Sequence, residues 1–283
     1  MKKFREGFMQ VLFMLSALVS IIAVALICIF LFANGVPAIR EIGLADFLTG
    51  TSWKPEQNIY GILPMIIGSI YVTAGAMLIG VPIGILTALF LVHFCPAGLY
   101  RFLKPAVDLL AGIPSIVYGF FGLTVIVPAI RNGLGGSGSS MLAASVVLGI
   151  MILPTIINVS ESAIRAVPES YYEGSLALGA SHECSVFFTV LPAAKSGVFA
   201  AVILGMGRAV GETMAVIMVA GNQTAMPGGP LQGLRTLTAN IVLEMAYAAD
   251  LHRGALIATA VVLFVFILII NLSFSLLKRR AKL

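Results

Sequence analysis

Six long apolar stretches alternate with short polar segments along the chain. A helix needs about 20 mainly apolar residues to cross the hydrocarbon core of a bilayer, and each of these stretches reaches that length. The pattern predicts six membrane-spanning helices, at about 10–33, 63–92, 107–130, 141–164, 197–221 and 254–277. We therefore expect an all-α, polytopic membrane protein in which residues 1–283 form a single transmembrane domain.

The composition and the placement of charge agree with a membrane protein. Hydrophobic residues make up 59% of the chain and charged residues only 10%, far from the average of soluble domains. The net charge of +5 needs no nucleic acid to explain it, because Lys and Arg collect on the cytoplasmic side of membrane proteins. Six spans place both termini on the same side of the membrane. Because both termini are rich in Lys and Arg, we expect that side to be the cytoplasm and the protein to lie in the cell (inner) membrane. The terminal basic residues are Lys2, Lys3, Arg5, Lys278, Arg279, Arg280 and Lys282.

The predicted spans contain no pattern typical of an enzyme site. No Ser–His, Cys–His, HExxH or paired-Asp arrangement occurs within them, and no Walker A loop occurs anywhere in the sequence. Cys28, Cys95 and Cys184 are far apart, so we expect neither a disulfide framework nor a metal site, and no cofactor. Any ATP hydrolysis that drives this protein must take place on another subunit.

The loop between the fourth and fifth spans, residues 166–195, is the sizeable cytoplasmic feature of the pattern. Within it, residues 169–192 carry apolar positions at helical spacing on both sides of Gly179, whose backbone permits a sharp change of direction. We expect two short helices that meet at this glycine and fit a groove in another protein. An ordinary helical hairpin, in which Gly179 and Pro192 only mark turns, is the alternative.

The fifth span carries two charged residues at mid-membrane depth, Arg208 and Glu212. A charge near the bilayer centre is unfavourable by at least about 2.5–3.5 kcal/mol on insertion scales, so each needs a partner or a water-filled path. The four-residue spacing allows a purely structural ion pair on one helix. The other interpretation is a translocation path, where the guanidinium attracts an oxyanion and the carboxylate keeps it from being held too tightly. Glycines flank the pair and narrow the helix, at Gly205, Gly207 and Gly211.

Three other features have a structural interpretation. Trp53, the single tryptophan, is interpreted as an anchor at the membrane interface. Glu161 and Arg165 have the spacing of an exposed helical ion pair that contributes roughly a few tenths of a kcal/mol. Helical spacing of apolar residues also predicts a short amphipathic helix that lies on or dips into the outer face before the last span. Its apolar face consists of Leu234, Leu237, Thr238, Ile241, Val242 and Met245.

The 169–192 loop resembles the EAA loop of ABC importer permeases, E-A-A-x3-G-x9-I-x-L-P, which in that family docks onto the ATPase subunit. The positions that match its Glu, Gly, Leu and Pro are Glu173, Gly179, Leu191 and Pro192. The sequence departs from the motif at Gly174, Ser175 and Thr189. Two further stretches, AGIPSIVYGFFGL in the third span and GRAVGETMAVIMVAGN at 207–222, resemble the phosphate-specific permeases of this family.

The resemblance implies a type I importer permease (MetI-like) fold and a subunit that forms half of the pore of an ATP-driven importer of inorganic phosphate. It implies a PstA-like second permease subunit, PstB-like ATPase subunits and a PstS-like periplasmic phosphate-binding protein as partners, besides membrane lipid. Arg208 and Glu212 are then the expected residues of the substrate path. The expected ATPase-coupling residues are Glu173, Gly179, Leu191 and Pro192. Two alternatives stay open: an importer of another oxyanion such as molybdate or sulfate, and a secondary transporter with Glu212 as its proton site.

Overall fold

The computed structural model describes the backbone of residues 2–280 and the side chains of residues 8–273 and 276. The described chain is helical apart from its connections and one short hairpin. The helices are α1 (Lys2–Ile42), α2 (Leu44–Thr49), α3 (Leu63–Leu89), α4 (Ala97–Gly112), α5 (Ser115–Phe121), α6 (Val127–Leu134), α7 (Met141–Arg165), α8 (Glu169–Ala177), α9 (His182–Ser185), α10 (Leu191–Ala193), α11 (Lys195–Gly211), α12 (Met214–Val219), α13 (Leu237–Glu244) and α14 (Asp250–Arg280). Strands β1 (Trp53–Lys54) and β2 (Ile59–Tyr60) pair antiparallel, with Trp53 opposite Tyr60.

Five helical segments of the described chain are long and apolar enough to cross a membrane. They are Phe8–Ile42, Leu63–Phe94, Ser115–Leu134, Met141–Arg165 and Asp250–Ser273. A sixth is obtained if His182–Ala193 and Lys195–Gly211 are counted together, although the two are bent by 71° relative to each other. Within three of these regions, π-helical turns join or extend the helices, at Phe90–Phe94, Gly122–Ile126 and Val186–Val190.

The third predicted span, 107–130, begins too early. Residues 107–112 belong to α4, a separate helix that ends at Gly112. Ile113 has extended backbone angles, φ −69° and ψ 127°, because the residue before a proline is forced out of the α region. The membrane-crossing segment therefore starts after Pro114, at Ser115.

The fifth predicted span, 197–221, is not one continuous helix. α11 ends at Gly211, Glu212 is extended with φ −71° and ψ 136°, and α12 starts at Met214. Glycine is a weak helix former and threonine competes for backbone hydrogen bonds, so Gly211 and Thr213 favour this break. Arg208 and Glu212 therefore do not share a helix, although their four-residue spacing had predicted that they would.

Helix α7 lies at the centre of the fold and packs against both α3 and α11. Its Ile152 and Ile156 are fully buried. α3 comes close because glycines face these side chains: a Cβ on Gly80 would lie 2.8 Å from Ile152, and one on Gly84 would lie 2.7 Å from Ile156. Small residues allow membrane helices to approach in this way, so the interface depends on them.

Two smaller apolar clusters lie at opposite ends of α3. Near its first residues, Phe47, Trp53 and Tyr60 pack with residues of α14. Near its last residues, buried side chains of α3 and α7 pack with Val186 and Val190. The β1–β2 hairpin and the α8–α10 segment, residues 169–193, are thus at opposite ends of the central helices.

Helix α1 packs against α14 and leaves much of residues 8–30 uncovered. Large apolar side chains there are more than half exposed, among them Phe8, Phe13, Val19, Ile21 and Ile29. Burial of such side chains is favourable, so in the membrane this face is covered by lipid or by another subunit.

Candidate translocation path and coupling segment

Arg208 lies one turn before the end of α11 and is not paired with a carboxylate. Its Nη1 donates a hydrogen bond to Thr155 Oγ1 of α7 at 3.3 Å. Among the described side chains, no Asp or Glu oxygen lies within 4.0 Å of the guanidinium. The interpretation of Arg208 and Glu212 as a structural ion pair is therefore wrong. The helix breaks after Gly211, so the carboxylate of Glu212 does not lie next to the guanidinium.

Glu212 instead stabilises the start of the next helix. Its Oε1 accepts a hydrogen bond from the backbone N–H of Ala215 at 3.1 Å, as a capping side chain does. A carboxylate is also favourable beside the N-terminal end of a helix. The hydroxyl of Thr238 donates to the backbone carbonyl of Glu212 at 3.0 Å, which ties the break between α11 and α12 to α13.

The surface of α11 beside Arg208 is open. Gly207 and Gly211, one turn apart, are exposed, and no atom lies within 4 Å of where their Cβ atoms would be. Gly205 faces the opposite way, since its Cβ would lie 2.9 Å from Ile156 in the core. A guanidinium has five donors in a planar fork that matches an oxyanion. Arg208 can therefore present unused donors to an anion that passes along this open face.

The α8–α10 segment turns sharply at Gly179, as its sequence predicts. Gly179 has φ +87°, its N–H donates to Leu176 O at 2.9 Å, and the N–H of Ala180 donates to Ser175 O at 3.2 Å. This pair of hydrogen bonds is the Schellman motif, in which a glycine in the left-handed conformation ends a helix. The positive φ makes any other residue at this position strained.

One side of the α8–α10 segment is anchored to the membrane helices. Val186 and Val190 are buried against the ends of α3 and α7. Within the segment, Tyr172 Oη lies 2.6 Å from His182 Nδ1 and joins α8 to α9. Leu191 is half-buried and begins α10. The anchored side fixes the two short helices on the bundle.

The other side of the segment is exposed and apolar. Leu178 is 90% exposed and Phe188 is 78% exposed, and Glu173, Gly179 and Pro192 are exposed as well. Contiguous exposed apolar side chains mark contact surfaces. α10 ends at Ala193 and α11 begins at Lys195, so the segment leads directly into the helix that carries Arg208.

A polar network joins α4 and α7. The sequence predicted only one of its contacts, the pair of Glu161 and Arg165. Glu161 is only 4% exposed and binds Lys104 Nζ at 3.0 Å and Arg165 Nε at 3.0 Å, while Tyr100 Oη donates to it at 2.7 Å. The predicted pair of Glu161 and Arg165 is present; Arg165 is exposed as predicted, but Glu161 is buried. Burial lowers the pKa of Lys104, but the hydrogen bonds and charges of Glu161 and Asp108 outweigh it and hold that pKa above its usual value.

A second unpredicted network, which we call the hairpin cluster, consists of Trp53, Arg235, Asn240, Glu244 and His252. The indole Nε1 donates to Glu244 Oε2 at 2.8 Å, and His252 Nε2 lies 2.9 Å from the same oxygen. Arg235 Nη1 is paired with Glu244 Oε1 and donates to Asn240 Oδ1 at 2.9 Å. Trp53 is thus 5% exposed and internally bound, so its interpretation as an interfacial anchor is wrong.

Helix α13 forms where the amphipathic pattern predicts a short helix. Leu237 and Thr238 are buried and Val242 is half exposed, and the helix packs against α3, α12 and α14. α13 is also held by hydrogen bonds of its side chains: Thr238 donates to Glu212 O, and Asn240 and Glu244 belong to the hairpin cluster. Its position could not be decided from periodicity alone.

Among the residues that the structure describes, no group of three or more His, Cys, Asp or Glu is arranged to hold a metal ion. Cys28, Cys95 and Cys184 are all free thiols.

Comparison with known proteins decides the family. Residues 80–283 match the family described as binding-protein-dependent transport system inner membrane component. That match covers well over half of the chain. This chain belongs to that family of ABC importer permeases.

Two relatives extend the similarity over most of the permease. This chain is 41% identical over 266 residues to the probable ABC transporter permease protein YqgH of Bacillus subtilis (strain 168); the match covers 90% of this chain and 86% of the relative. It is 34% identical over 276 residues to the phosphate transport system permease protein PstC of Mesorhizobium japonicum, covering 90% and 84%. The resemblance to phosphate permeases that the motifs indicate is thus confirmed over the length of the chain.

A solved structure shows the same fold. The MetNI methionine ABC transporter in inward-facing conformations superimposes on the permease with a TM-score of 0.61 and 20% identity, covering 81% of this chain and 99% of that one. The predicted all-α, type I importer permease (MetI-like) fold is confirmed. The permease is a multi-pass protein of the inner membrane.

Proposed function

We propose that this permease is the membrane subunit of an ATP-driven importer of inorganic phosphate. It forms half of the translocation pore beside a PstA-like subunit, receives phosphate from a PstS-like periplasmic protein and is driven by PstB-like ATPase subunits. Both termini and the α8–α10 segment lie in the cytoplasm. The β1–β2 hairpin, at the opposite end of α3, then lies on the periplasmic side.

The observation that carries this proposal is the guanidinium of Arg208, which donates to one hydroxyl and lies on α11 beside the exposed Gly207 and Gly211. A cation without a carboxylate partner at bilayer depth is unfavourable unless it serves a charged substrate. Phosphate as the substrate is supported by the relatives named PstC. The continuation GETMAV after Arg208 is likewise typical of PstC and not of PstA.

We assign ATPase coupling to the α8–α10 segment, with Glu173, Gly179 and Pro192 on its exposed side and the half-buried Leu191 as the motif residues. The turn at Gly179 sets the angle between the two short helices, and the segment leads directly into α11. Closure of the ATPases would then move α11 and alter access to Arg208, in the manner of hinged transport proteins.

Reconstituted transport tests the substrate and the energy source. The complex is purified through a tag on this chain and placed in liposomes with the binding protein outside and ATP inside. We expect labelled phosphate to accumulate only with ATP, and labelled sulfate and molybdate not to accumulate. Preferential uptake of sulfate or molybdate would instead favour an importer of another oxyanion.

The secondary-transporter alternative is separated by the same assay. A proton site at Glu212 predicts uptake driven by a pH gradient without ATP, and loss of that uptake in Glu212→Gln. Glutamine keeps an oxygen that can accept the Ala215 N–H, so this change preserves the cap. We expect no ATP-independent uptake in either protein.

The coupling role is tested at Gly179 with a matched control. Valine cannot adopt a φ of +87° without strain, so Gly179→Val should change the angle between the short helices. We expect uptake to fall several-fold while ATP hydrolysis continues. Gly133 of α6, which is exposed, has no atom within 4 Å of its Cβ position and lies outside the segment, provides the control Gly133→Val, for which uptake should be retained. Normal coupled uptake by Gly179→Val contradicts the assignment.

A further inference from the structure

One face of α7 carries a row of polar side chains that begins at the level of Arg208. The row consists of Thr155, Asn158, Glu161 and Arg165, at steps of three or four residues, and we call it the α7 polar stripe. Helix positions separated by three and four residues share a face. The stripe therefore runs from mid-span to the end of α7 that leads into the α8–α10 segment.

Each member of the stripe contacts a cationic group or is one. Thr155 accepts from Arg208 at 3.3 Å, Asn158 Oδ1 accepts from Lys104 Nζ at 2.8 Å, and Glu161 Oε2 lies 3.0 Å from the same Nζ. With a rise of about 1.5 Å per residue, the Asn158 and Glu161 levels lie roughly 4.5 Å and 9 Å beyond Thr155. Lys104 is thus the next cation after Arg208 along the stripe.

We propose that Lys104 is a second contact for the transported oxyanion, between Arg208 and the cytoplasmic end of α7. Asn158 and Glu161 position its ammonium group for that contact. The inference rests on the proposed function, since it adds a site to the same path.

The partners of Lys104 allow an anion to be exchanged in. A lysine has three N–H donors; here Nζ donates to Asn158 Oδ1 and forms ion pairs with Glu161 Oε2 at 3.0 Å and with Asp108 Oδ1 at 3.3 Å. The side chain of Asp108 is 49% exposed, whereas that of Glu161 is 5% exposed. Asp108 Oδ1 also accepts from Asn158 Nδ2 at 2.9 Å. An oxyanion can replace this exposed carboxylate on the ammonium and take up both contacts, while Glu161 and Asn158 continue to hold Lys104.

The same arrangement lets the anion leave. Lys104 and Arg165 carry two positive charges, which Glu161 and Asp108 balance, so the site without substrate has no net charge. A transport site must bind strongly enough for entry and weakly enough for release. The neighbouring carboxylates compete with the anion and keep Lys104 from trapping it.

Neutralisation of Lys104 in the full reconstituted complex is the first test. A hydrogen bond to a charged group contributes about 1.5–3 kcal/mol, so we expect phosphate uptake by Lys104→Gln to fall at least about tenfold. Lys104→Arg, which keeps the charge, should retain a measurable fraction. Arg101, an exposed cation on the same helix, provides the control Arg101→Gln, for which uptake should be unchanged.

A double variant separates a path role from a structural one. Lys104→Gln leaves Glu161 with one cation fewer, which by itself is destabilising because the carboxylate is buried. Adding Glu161→Gln removes that imbalance. We expect the double variant to remain defective in uptake; recovery of uptake would show that Lys104 only neutralises Glu161 and would overturn the inference.

Thiol labelling gives a readout that a structural role would not change. Lys104→Cys is placed in a chain whose Cys28, Cys95 and Cys184 are replaced by serine, and the complex is treated with 2-aminoethyl methanethiosulfonate. We expect inorganic phosphate to slow the reaction relative to chloride at equal ionic strength, and the attached ammonium to restore part of the uptake. The uncharged methyl methanethiosulfonate should restore none.

The outcomes distinguish this inference from the proposed function. Equal labelling rates in phosphate and chloride, or normal uptake by Lys104→Gln, overturn the second site while the unmodified complex still transports phosphate. A complex that transports no phosphate contradicts the proposed function itself.

Discussion

Arg208 and Arg235 are two half-buried arginines of one permease, and their surroundings differ. Arg235 is paired with Glu244 and donates to Asn240 Oδ1 at 2.9 Å. Arg208 makes one hydrogen bond, to Thr155 at 3.3 Å, and no described carboxylate lies within 4.0 Å of it. The two residues have the same chemistry, but only Arg235 has its charge neutralised by a carboxylate of the fold.

The difference separates structural charge from functional charge. Breaking a buried ion pair is destabilising because it leaves an uncompensated charge, so Arg235 should matter for stability. Arg208 has one hydrogen bond and no ion pair, so we expect it to contribute less to stability, in line with our proposal that it meets a charged substrate. The comparison predicts opposite consequences for the same substitution at the two positions.

The largest expected effect on stability is that of Arg235→Leu. It leaves Glu244, 6% exposed, without its arginine, and we expect the free energy of unfolding to fall by about 3–5 kcal/mol. Denaturant unfolding in mixed micelles measures it, with the fluorescence of Trp53 as the probe. The double variant Arg235→Leu with Glu244→Gln should recover much of the loss. A single variant as stable as the parent would contradict the structural role of Arg235.

A smaller effect is expected for Trp53→Phe. The phenyl ring keeps most of the apolar contact but removes the Nε1 donor to Glu244. Loss of a partner to a buried acceptor is unfavourable by about 1–3 kcal/mol. Because this change removes the fluorescent probe, unfolding is followed by circular dichroism. No loss of stability would show that the indole hydrogen bond does not help to hold Glu244.

The smallest effect is expected for Thr155→Val, which removes the hydrogen bond of Arg208 at nearly constant volume. We expect the free energy of unfolding to change by about 1 kcal/mol or less, because a single long hydrogen bond is lost. The same fluorescence assay measures the change. A loss as large as that of Arg235→Leu would mean that Arg208 is held by the fold after all.

Features that depend on local sequence were predictable. The Schellman turn at Gly179 follows from a glycine between two apolar helical segments, and the fold class follows from the length of the apolar stretches. α13 was recognised by its periodicity. In each case the decisive interactions join residues within a few positions of one another.

Features that depend on distant residues were not predictable from one sequence. Trp53 binds Glu244 and Lys104 binds Glu161, and neither pair shares a helix. The ion-pair interpretation of Arg208 and Glu212 failed for a different reason. Residues four positions apart are neighbours only on an unbroken helix. Gly211 and Thr213 weaken that helix, and Glu212 gains a cap by leaving it.

The central claim is that the charge of Arg208 serves the anion and not the fold. Phosphate uptake and unfolding measured on one preparation of Arg208→Leu test it most directly. We predict that uptake falls at least about tenfold, while the free energy of unfolding stays within about 1 kcal/mol of the parent value. Normal uptake, or a loss of stability comparable to that of Arg235→Leu, would contradict the claim.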